Sequence, residues 1–312
     1  QTVMSPLQRV FLTELREGRC LFIKRDDLLH PVVEGSKWRK LQPALAEIKE
    51  KGYAGLLTFG GPFSNHLHAT AAAGKAMHIA TVGIVRGMAA DTGNPTLRFA
   101  AACGMEIFPV SKKGFDNKNE EVQAIVRQFP DYFYLPEGGA TPAAAAQCRD
   151  LATEIALQLA EHNVPPRNQP VWIAVPAGTG CTAAGLAAGW KWPGHVLIFP
   201  AAPYDLLKNP FDTLLPADTV ILPDVQWVSD YMDGKFARLT PEKSAFAALF
   251  HQKTGILPDP IYTVKMLFGL FDLLRKNYFP PQAVIVAVHT GGLQGWNGFE
   301  NKPLAHSHAT PY

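Results

Sequence analysis

Long apolar runs are missing from this chain: none approaches the ~18 residues of a membrane-spanning helix. Net charge is nearly missing as well. A balance of +2 with no basic stripe leaves no electrostatic footprint for nucleic acid. Cysteine is scarce, and Cys20, Cys103, Cys148 and Cys181 form no C-x-x-C and no metal-ligand spacing. Reduced, mostly buried thiols in a cytoplasmic enzyme are therefore expected. Gln1 to Leu12 lacks the basic start and apolar core of a secretory signal. The pairs His66/His68 and His306/His308 are spaced i, i+2, which puts two rings on opposite sides of a helix and suits one metal poorly. No metal is expected. No repeat of fixed period occurs, no lysine follows a glycine loop as in a Walker A motif, and no G-x-S-x-G elbow is present. Solenoids, P-loop NTPases and serine hydrolases of the elbow type drop out.

What is present is a globular composition, 47% apolar and 18% charged over 312 residues, enough for one large domain or two. Apolar runs alternate with helix-period segments. Strands are expected at Leu21–Ile23, Gly55–Phe59, Ile79–Val85, Met105–Val110, Tyr132–Leu135, Val171–Val175, Val196–Phe199 and Ala283–Val288. Helices are expected at Trp38–Lys51, Asn65–Met77, Asn94–Cys103, Asn117–Phe129, Pro142–His162, Thr182–Trp190, Pro241–Thr254 and Thr263–Lys276. Continuously apolar strands separated by such helices indicate an α/β protein with mostly parallel sheet covered on both faces. Gly52, Gly74 and Gly104 are placed as left-handed helix caps. The proline-dotted stretch 209–224 is read as irregular, and the tail Asn301–Tyr312 as poorly ordered.

In such sheets ligands gather beyond the carboxyl ends of the strands. Gly60-Gly61-Pro62-Phe63-Ser64-Asn65-His66 follows one strand: Ser64 and Asn65 either only cap the next helix or form, with its amides, a cup for a carboxylate. Gly178-Thr179-Gly180-Cys181-Thr182 opens another helix with unencumbered amides and hydroxyls, an arrangement that binds phosphate. The dinucleotide pattern matches at Gly178, Gly180 and Ala183, but no acidic residue ends the following strand at Phe199-Pro200, so a dinucleotide is not expected. His289-Thr290-Gly291-Gly292-Leu293-Gln294-Gly295 closes the last strand, with His289 either a satisfied buried histidine or a site residue, and Tyr262 opens a helix as a core tyrosine or a proton donor. Lys37, one residue past Gly35-Ser36 at a helix start, is either a surface charge or a covalent catalyst. A phosphate cup, a carboxylate cup and such a lysine together match pyridoxal phosphate held as a Schiff base.

With these motifs in this order, together with Lys24-Arg25-Asp26-Asp27, Trp38-Arg39-Lys40-Leu41 and Pro136-Glu137-Gly138-Gly139, the chain is similar to the fold-type II pyridoxal phosphate enzymes, the tryptophan synthase β group. Within that group it resembles the 1-aminocyclopropane-1-carboxylate deaminase and D-cysteine desulfhydrase family. The resemblance implies that Lys37 is the Schiff-base lysine and proton-transfer base. It also implies that Asn65 meets the cofactor's phenolic oxygen, Ser64 and His66 line the substrate carboxylate, Gly178 to Thr182 cradle the phosphate, and Tyr262 is an active-site tyrosine. Thr290 matches a position facing the pyridine nitrogen, with Thr263 a competitor. Lys24, Arg39 and Lys40 are read as supports.

Two domains are expected, a smaller α/β unit of about residues 42–145 and a larger one of 1–41 plus 146–312, with the cofactor between them. A homodimer follows from the resemblance only. Departures from the family occur at Glu34, Ser36, Cys181, Val264 and Lys235-Phe236-Ala237, and Thr263 stands where the cyclopropane-opening enzymes carry Glu. The expected activity is β-elimination from a small amino acid such as D-cysteine. The alternatives are another deaminase or racemase of the same fold, or a cofactor-binding protein without turnover.

Overall fold

A computed structural model describes residues 4–87, 94–164, 166–201, 209–234 and 237–299. Its β-strands form two sheets. The larger has the order β1-β2-β10-β7-β8-β9, from Leu7–Val10 (β1), Cys20–Arg25 (β2), Val171–Ala177 (β7), Gly194–Pro200 (β8), Asp224–Trp227 (β9) and Val284–His289 (β10). All neighbours in it are parallel except β1, which pairs antiparallel with β2. The smaller is fully parallel with the order β5-β4-β3-β6, from Gly55–Gly60 (β3), Ala80–Arg86 (β4), Met105–Val110 (β5) and Tyr132–Tyr134 (β6).

The central strands are apolar on both sides because both sheet faces are covered. Along β10, Val284, Val286 and Val288 pack on one face with Leu186 and Leu151, while Ile285 and Ala287 pack on the other with Leu267 and Leu270. Alternate side chains point to opposite faces of a strand, so both sets must be apolar. The covering helices are α7 (Asp150–Glu161) and α8 (Cys181–Gly189) on the first face, α11 (Thr263–Arg275) on the second. Helices α1 (Ser36–Lys51), α2 (Asn65–Met77) and α3 (Pro95–Ala102) pack on the smaller sheet. Among the described residues, no helix is long and apolar enough to cross a membrane.

Several sequence expectations need correction. The single helix expected over Pro142–His162 is two, α6 (Pro142–Gln147) and α7. A Cβ on Gly185 would lie 2.3 Å from Ala145 O, and one on Gly189 would lie 2.6 Å from Arg149 O. The glycine face of α8 thus lies directly against backbone at the break. Asn117–Phe129 also divides, into α4 (Lys112–Asn117) and α5 (Glu120–Val126), with Lys118 at φ 48 and Asn119 accepting from Glu121 N as the second cap. Gly74 is not a cap: it lies inside α2 against Thr81, and His78 takes the left-handed position at φ 57. The stretch read as irregular holds a short helix, α9 (Pro210–Leu214), capped by Asn209. The tail beyond Phe299, including His306 and His308, and the pair Lys235-Phe236 lie outside the described residues.

Candidate active site

Strand β2 leads through a 3-10 turn, Asp26–Leu28, toward α1, whose second residue is Lys37. Gly35 precedes the helix at φ 65, and Ser36 N donates to Thr290 O at 3.0 Å. That bond fastens the start of α1 to the carboxyl end of β10. Behind it lies a buried ion network. Arg39 pairs with Asp26 (2.8 Å) and Glu154 (2.7 Å), and Lys24 pairs with Glu154 (2.7 Å). All four side chains are buried, so the network ties β2, α1 and α7 together from behind. Arg39 and Lys24 act here as supports of the helix that carries Lys37.

Lys40 is not one. It lies one helical turn from Lys37, in the wall of the same cavity of about 730 Å³. Residues i and i+3 share a helix face, so the two lysines enter the cavity together. Burial, then the positive charge of Lys40, push the Lys37 amine down to about 7. Among the described residues Lys37 makes no hydrogen bond or ion pair that would hold its proton.

Opposite stands the N-terminus of α8. Gly180 takes φ 75 and provides no side-chain cap, so the first amides of the helix are left facing the cavity, whose wall includes Gly178, Thr179, Gly180 and Thr182. Thr179 Oγ1 is buried there without a hydrogen-bond partner among the described residues. Cys181 faces the other way: its thiol packs with Ala144, Ala145 and Leu214 and is hydrogen-bonded with Cys148. Tyr262 lies across Gly178, where a Cβ would come 3.0 Å from its ring. Burial, then the carboxylates of Asp259 and Glu137, push its hydroxyl up, so it stays protonated.

The third side is the N-terminus of α2. Ser64 Oγ accepts from His66 N and Leu67 N at 3.2 Å, so Ser64 caps the helix and lines the cavity at once. His66 is buried, and burial with the charges of Lys37 and Lys40 keeps it neutral. Thr58 Oγ1 gives its only proton to Leu135 O (2.8 Å) and so accepts from His66 Nε2 (2.8 Å). The proton of His66 is therefore on Nε2, and Nδ1 is a bare acceptor without a partner among the described residues. Asn65 Oδ1 accepts from Gln294 Nε2, a residue inside the loop after β10 to which the sequence reading gave no role.

Of the two competing threonines, Thr290 is in the cavity wall and Thr263 is fully buried behind it, its amide donating to Asp259 Oδ2 at 2.7 Å. His289 is structural: Nε2 donates to Leu257 O (2.8 Å) and Nδ1 accepts from Gly291 N (3.1 Å). That shapes the Thr290-Gly291-Gly292 turn. Ala237 reaches the wall.

An open α/β fold with a lysine, an anion cup and a second helix N-terminus around one cavity defines an enzyme scaffold for a phosphate-bearing carbonyl cofactor. A model of the family described as "Pyridoxal-phosphate dependent enzyme" matches residues 2–291, and the chain belongs to that family. It is 28% identical to the D-cysteine desulfhydrase of Klebsiella pneumoniae, over 94% of this chain and 93% of that one. It is also 28% identical to the bifunctional D-cysteine desulfhydrase/1-aminocyclopropane-1-carboxylate deaminase, mitochondrial, of Arabidopsis thaliana, over 93% of this chain and 77% of that one. The crystal structure of an ACC deaminase homologue superposes with TM-score 0.75 at 25% identity, covering 95% and 92% of the two chains. The fold is fold type II.

The residues present fit pyridoxal phosphate. Thr179 Oγ1 is an unsatisfied donor beside helix amides, as a phosphate requires, and Lys37 is an amine kept partly uncharged near neutral pH.

Proposed function

We propose that the chain is a pyridoxal-phosphate-dependent lyase/deaminase that converts D-cysteine and water to pyruvate, ammonia and hydrogen sulfide. The observation that carries it is the cavity shared by Lys37, the α8 N-terminus and the α2 N-terminus. Pyridoxal phosphate, when bound, supplies the electron sink for charge developing at the substrate Cα. Lys37 would hold it covalently, and the Lys37 amine, near pKa 7, would take the Cα proton at neutral pH. Thr179, Thr182 and the amides of Gly178 to Thr182 receive the phosphate, with Lys40 adding charge. Cys181 contributes only its amide. Asn65 meets the ring oxygen and Thr290 the ring nitrogen. Ser64 and the α2 amides take the substrate carboxylate. His66 offers Nδ1 only as an acceptor, and Tyr262 offers a protonated hydroxyl. A cyclopropane substrate is disfavoured because Thr263 replaces Glu and is buried away from the wall.

We include in the reading a homodimer, which rests on the resemblance alone, a cytoplasmic location, which rests on the sparse, unpaired cysteines, and a division of the chain at about residues 42 and 145, which the four-stranded sheet between Gly55 and Tyr134 supports. The test is a screen with D-cysteine, L-cysteine and 1-aminocyclopropane-1-carboxylate. Equal pyruvate and sulfide from D-cysteine, lost in Lys37→Ala, is the expected outcome. No pyruvate from D-cysteine, whatever the other two give, would overturn it.

A further inference from the structure

The sequence departs from its family at Glu34, three residues before Lys37, and the structure shows where that carboxylate goes. It does not join the cavity wall. Glu34 Oε2 accepts from Gly292 N at 3.1 Å, and the amides of Gln294 and Leu293 face the same carboxylate. Glu34 thereby caps the start of the 3-10 helix Leu293–Gly298, which has no other side-chain cap. The second residue of that helix is Gln294, almost fully buried.

Every polar atom of the Gln294 side chain is engaged. Its Oε1 accepts from Thr96 Oγ1 at 2.6 Å, and its Nε2 donates to Phe63 O at 3.3 Å and to Asn65 Oδ1. On its other side Asn65 is clamped by Gly292, where a Cβ would lie 2.5 Å from Asn65 Nδ2. An amide offers one acceptor oxygen and one donor nitrogen. With Oδ1 turned toward Gln294, Asn65 presents its Nδ2–H groups to a bound molecule. A donor at that place stabilises an ionised oxygen over a protonated one.

We propose that Gln294 is a positioning residue that fixes the Asn65 amide as a donor toward the cofactor's ring oxygen, with Glu34 holding the turn that carries Gln294. This rests on the reading in which Asn65 meets the ring oxygen of pyridoxal phosphate. Gln294→Glu has no donor for Asn65 Oδ1 and reverses the amide, so that Oδ1 faces the ring oxygen. Gln294→Leu leaves the amide free to take either orientation.

The test compares visible spectra and kinetics of the cofactor-loaded wild type with Gln294→Leu, Gln294→Glu and Glu34→Ala, with melting of each to separate folding from positioning. The long-wavelength band of the ionised ring oxygen is expected to give way to the short-wavelength band of the neutral one in the order wild type, Leu, Glu. Glu34→Ala is expected to move the spectrum in the same direction. The kcat is expected to fall about tenfold in Gln294→Leu with a smaller change in KM. In an Asn65→Ala background the Gln294 substitutions are expected to change the spectrum no further.

Variants that melt lower but keep the wild-type spectrum overturn the proposal, because a merely structural glutamine would behave in that way. So does an equal spectral change with and without Asn65. A wild type that forms no visible band with pyridoxal phosphate overturns the underlying reading, and the proposal with it.

Discussion

Gly35 and Thr290 meet backbone to backbone: a Cβ on Gly35 would fall 1.9 Å from the Thr290 carbonyl oxygen. The same oxygen accepts from Ser36 N at 3.0 Å. One contact therefore sets both the first turn of α1 and the turn after β10, which brings Lys37 and Thr290 into the same wall. Gly35→Ala adds strain at φ 65 to a collision with backbone that cannot yield, and should cost more than the ~1–3 kcal/mol of the strained conformation alone. Gly52→Ala is the control: Gly52 has φ 70 with nothing within 4 Å of its Cβ, so only the conformational cost applies. Urea unfolding and the rate of pyridoxal phosphate capture check this. We expect Gly35→Ala to be defective in both and Gly52→Ala only in stability.

Much of this fold was legible because the interior strands are apolar on both faces and their helices carry caps such as Ser64 and Asn94. The two strands that escaped notice, β1 (Leu7–Val10) and β9 (Asp224–Trp227), are the edges of the six-stranded sheet. Each has four residues and is buried only in part, so neither shows an apolar run. The sequence reading makes Lys40 a support, although its i+3 spacing from Lys37 places it on the same helix face. Gln294 stands in a loop that the sequence marks as a candidate site, but its role is not legible there. It acts by reaching Asn65 from a distant part of the chain, and spacing along a sequence does not record that.

The Lys37 amine is depressed by burial and by Lys40, so its neutral, nucleophilic form takes over near pH 7 instead of near the ordinary 10.5. Capture of pyridoxal phosphate by the cofactor-free protein should therefore rise with pH through about 7 and then level. Lys40→Met removes one repulsive charge and should move that midpoint upward. Stopped-flow absorbance across the pH range measures it. A wild-type midpoint near 10.5 would contradict the geometry.

The network of Arg39, Asp26, Glu154 and Lys24 should fail hard when one member is removed. Arg39→Met leaves two buried carboxylates short of a partner, at a cost of about 3–5 kcal/mol by urea unfolding at neutral pH. For Glu154, burial raises the carboxyl pKa, but hydrogen bonds and charges from Arg39 and Lys24 outweigh it and the net shift is downward. A depressed folded pKa contributes stability above the unfolded value of 4.5, and that contribution is lost as pH falls through the folded value. The stability gap between wild type and Glu154→Gln should thus be full above about pH 4.5 and narrow below it.

Thr58 decides which nitrogen of His66 carries the proton. Its hydroxyl proton is committed to Leu135 O, which leaves its lone pair for His66 Nε2–H and makes Nδ1 the bare side. Thr58→Val keeps the shape and removes both bonds, stranding a buried N–H and a buried carbonyl at about 1–3 kcal/mol. It also frees the ring to carry its proton on Nδ1, turning the free nitrogen of His66 from an acceptor into a donor. Thermal unfolding should register the first effect and KM for the amino acid the second, because a group that meets substrate only as an acceptor loses that contact when it becomes a donor. Thr58→Ser retains the hydroxyl and should restore KM. If Thr58→Val lowers stability yet leaves KM at the wild-type value, His66 is a packing residue and the substrate does not touch it.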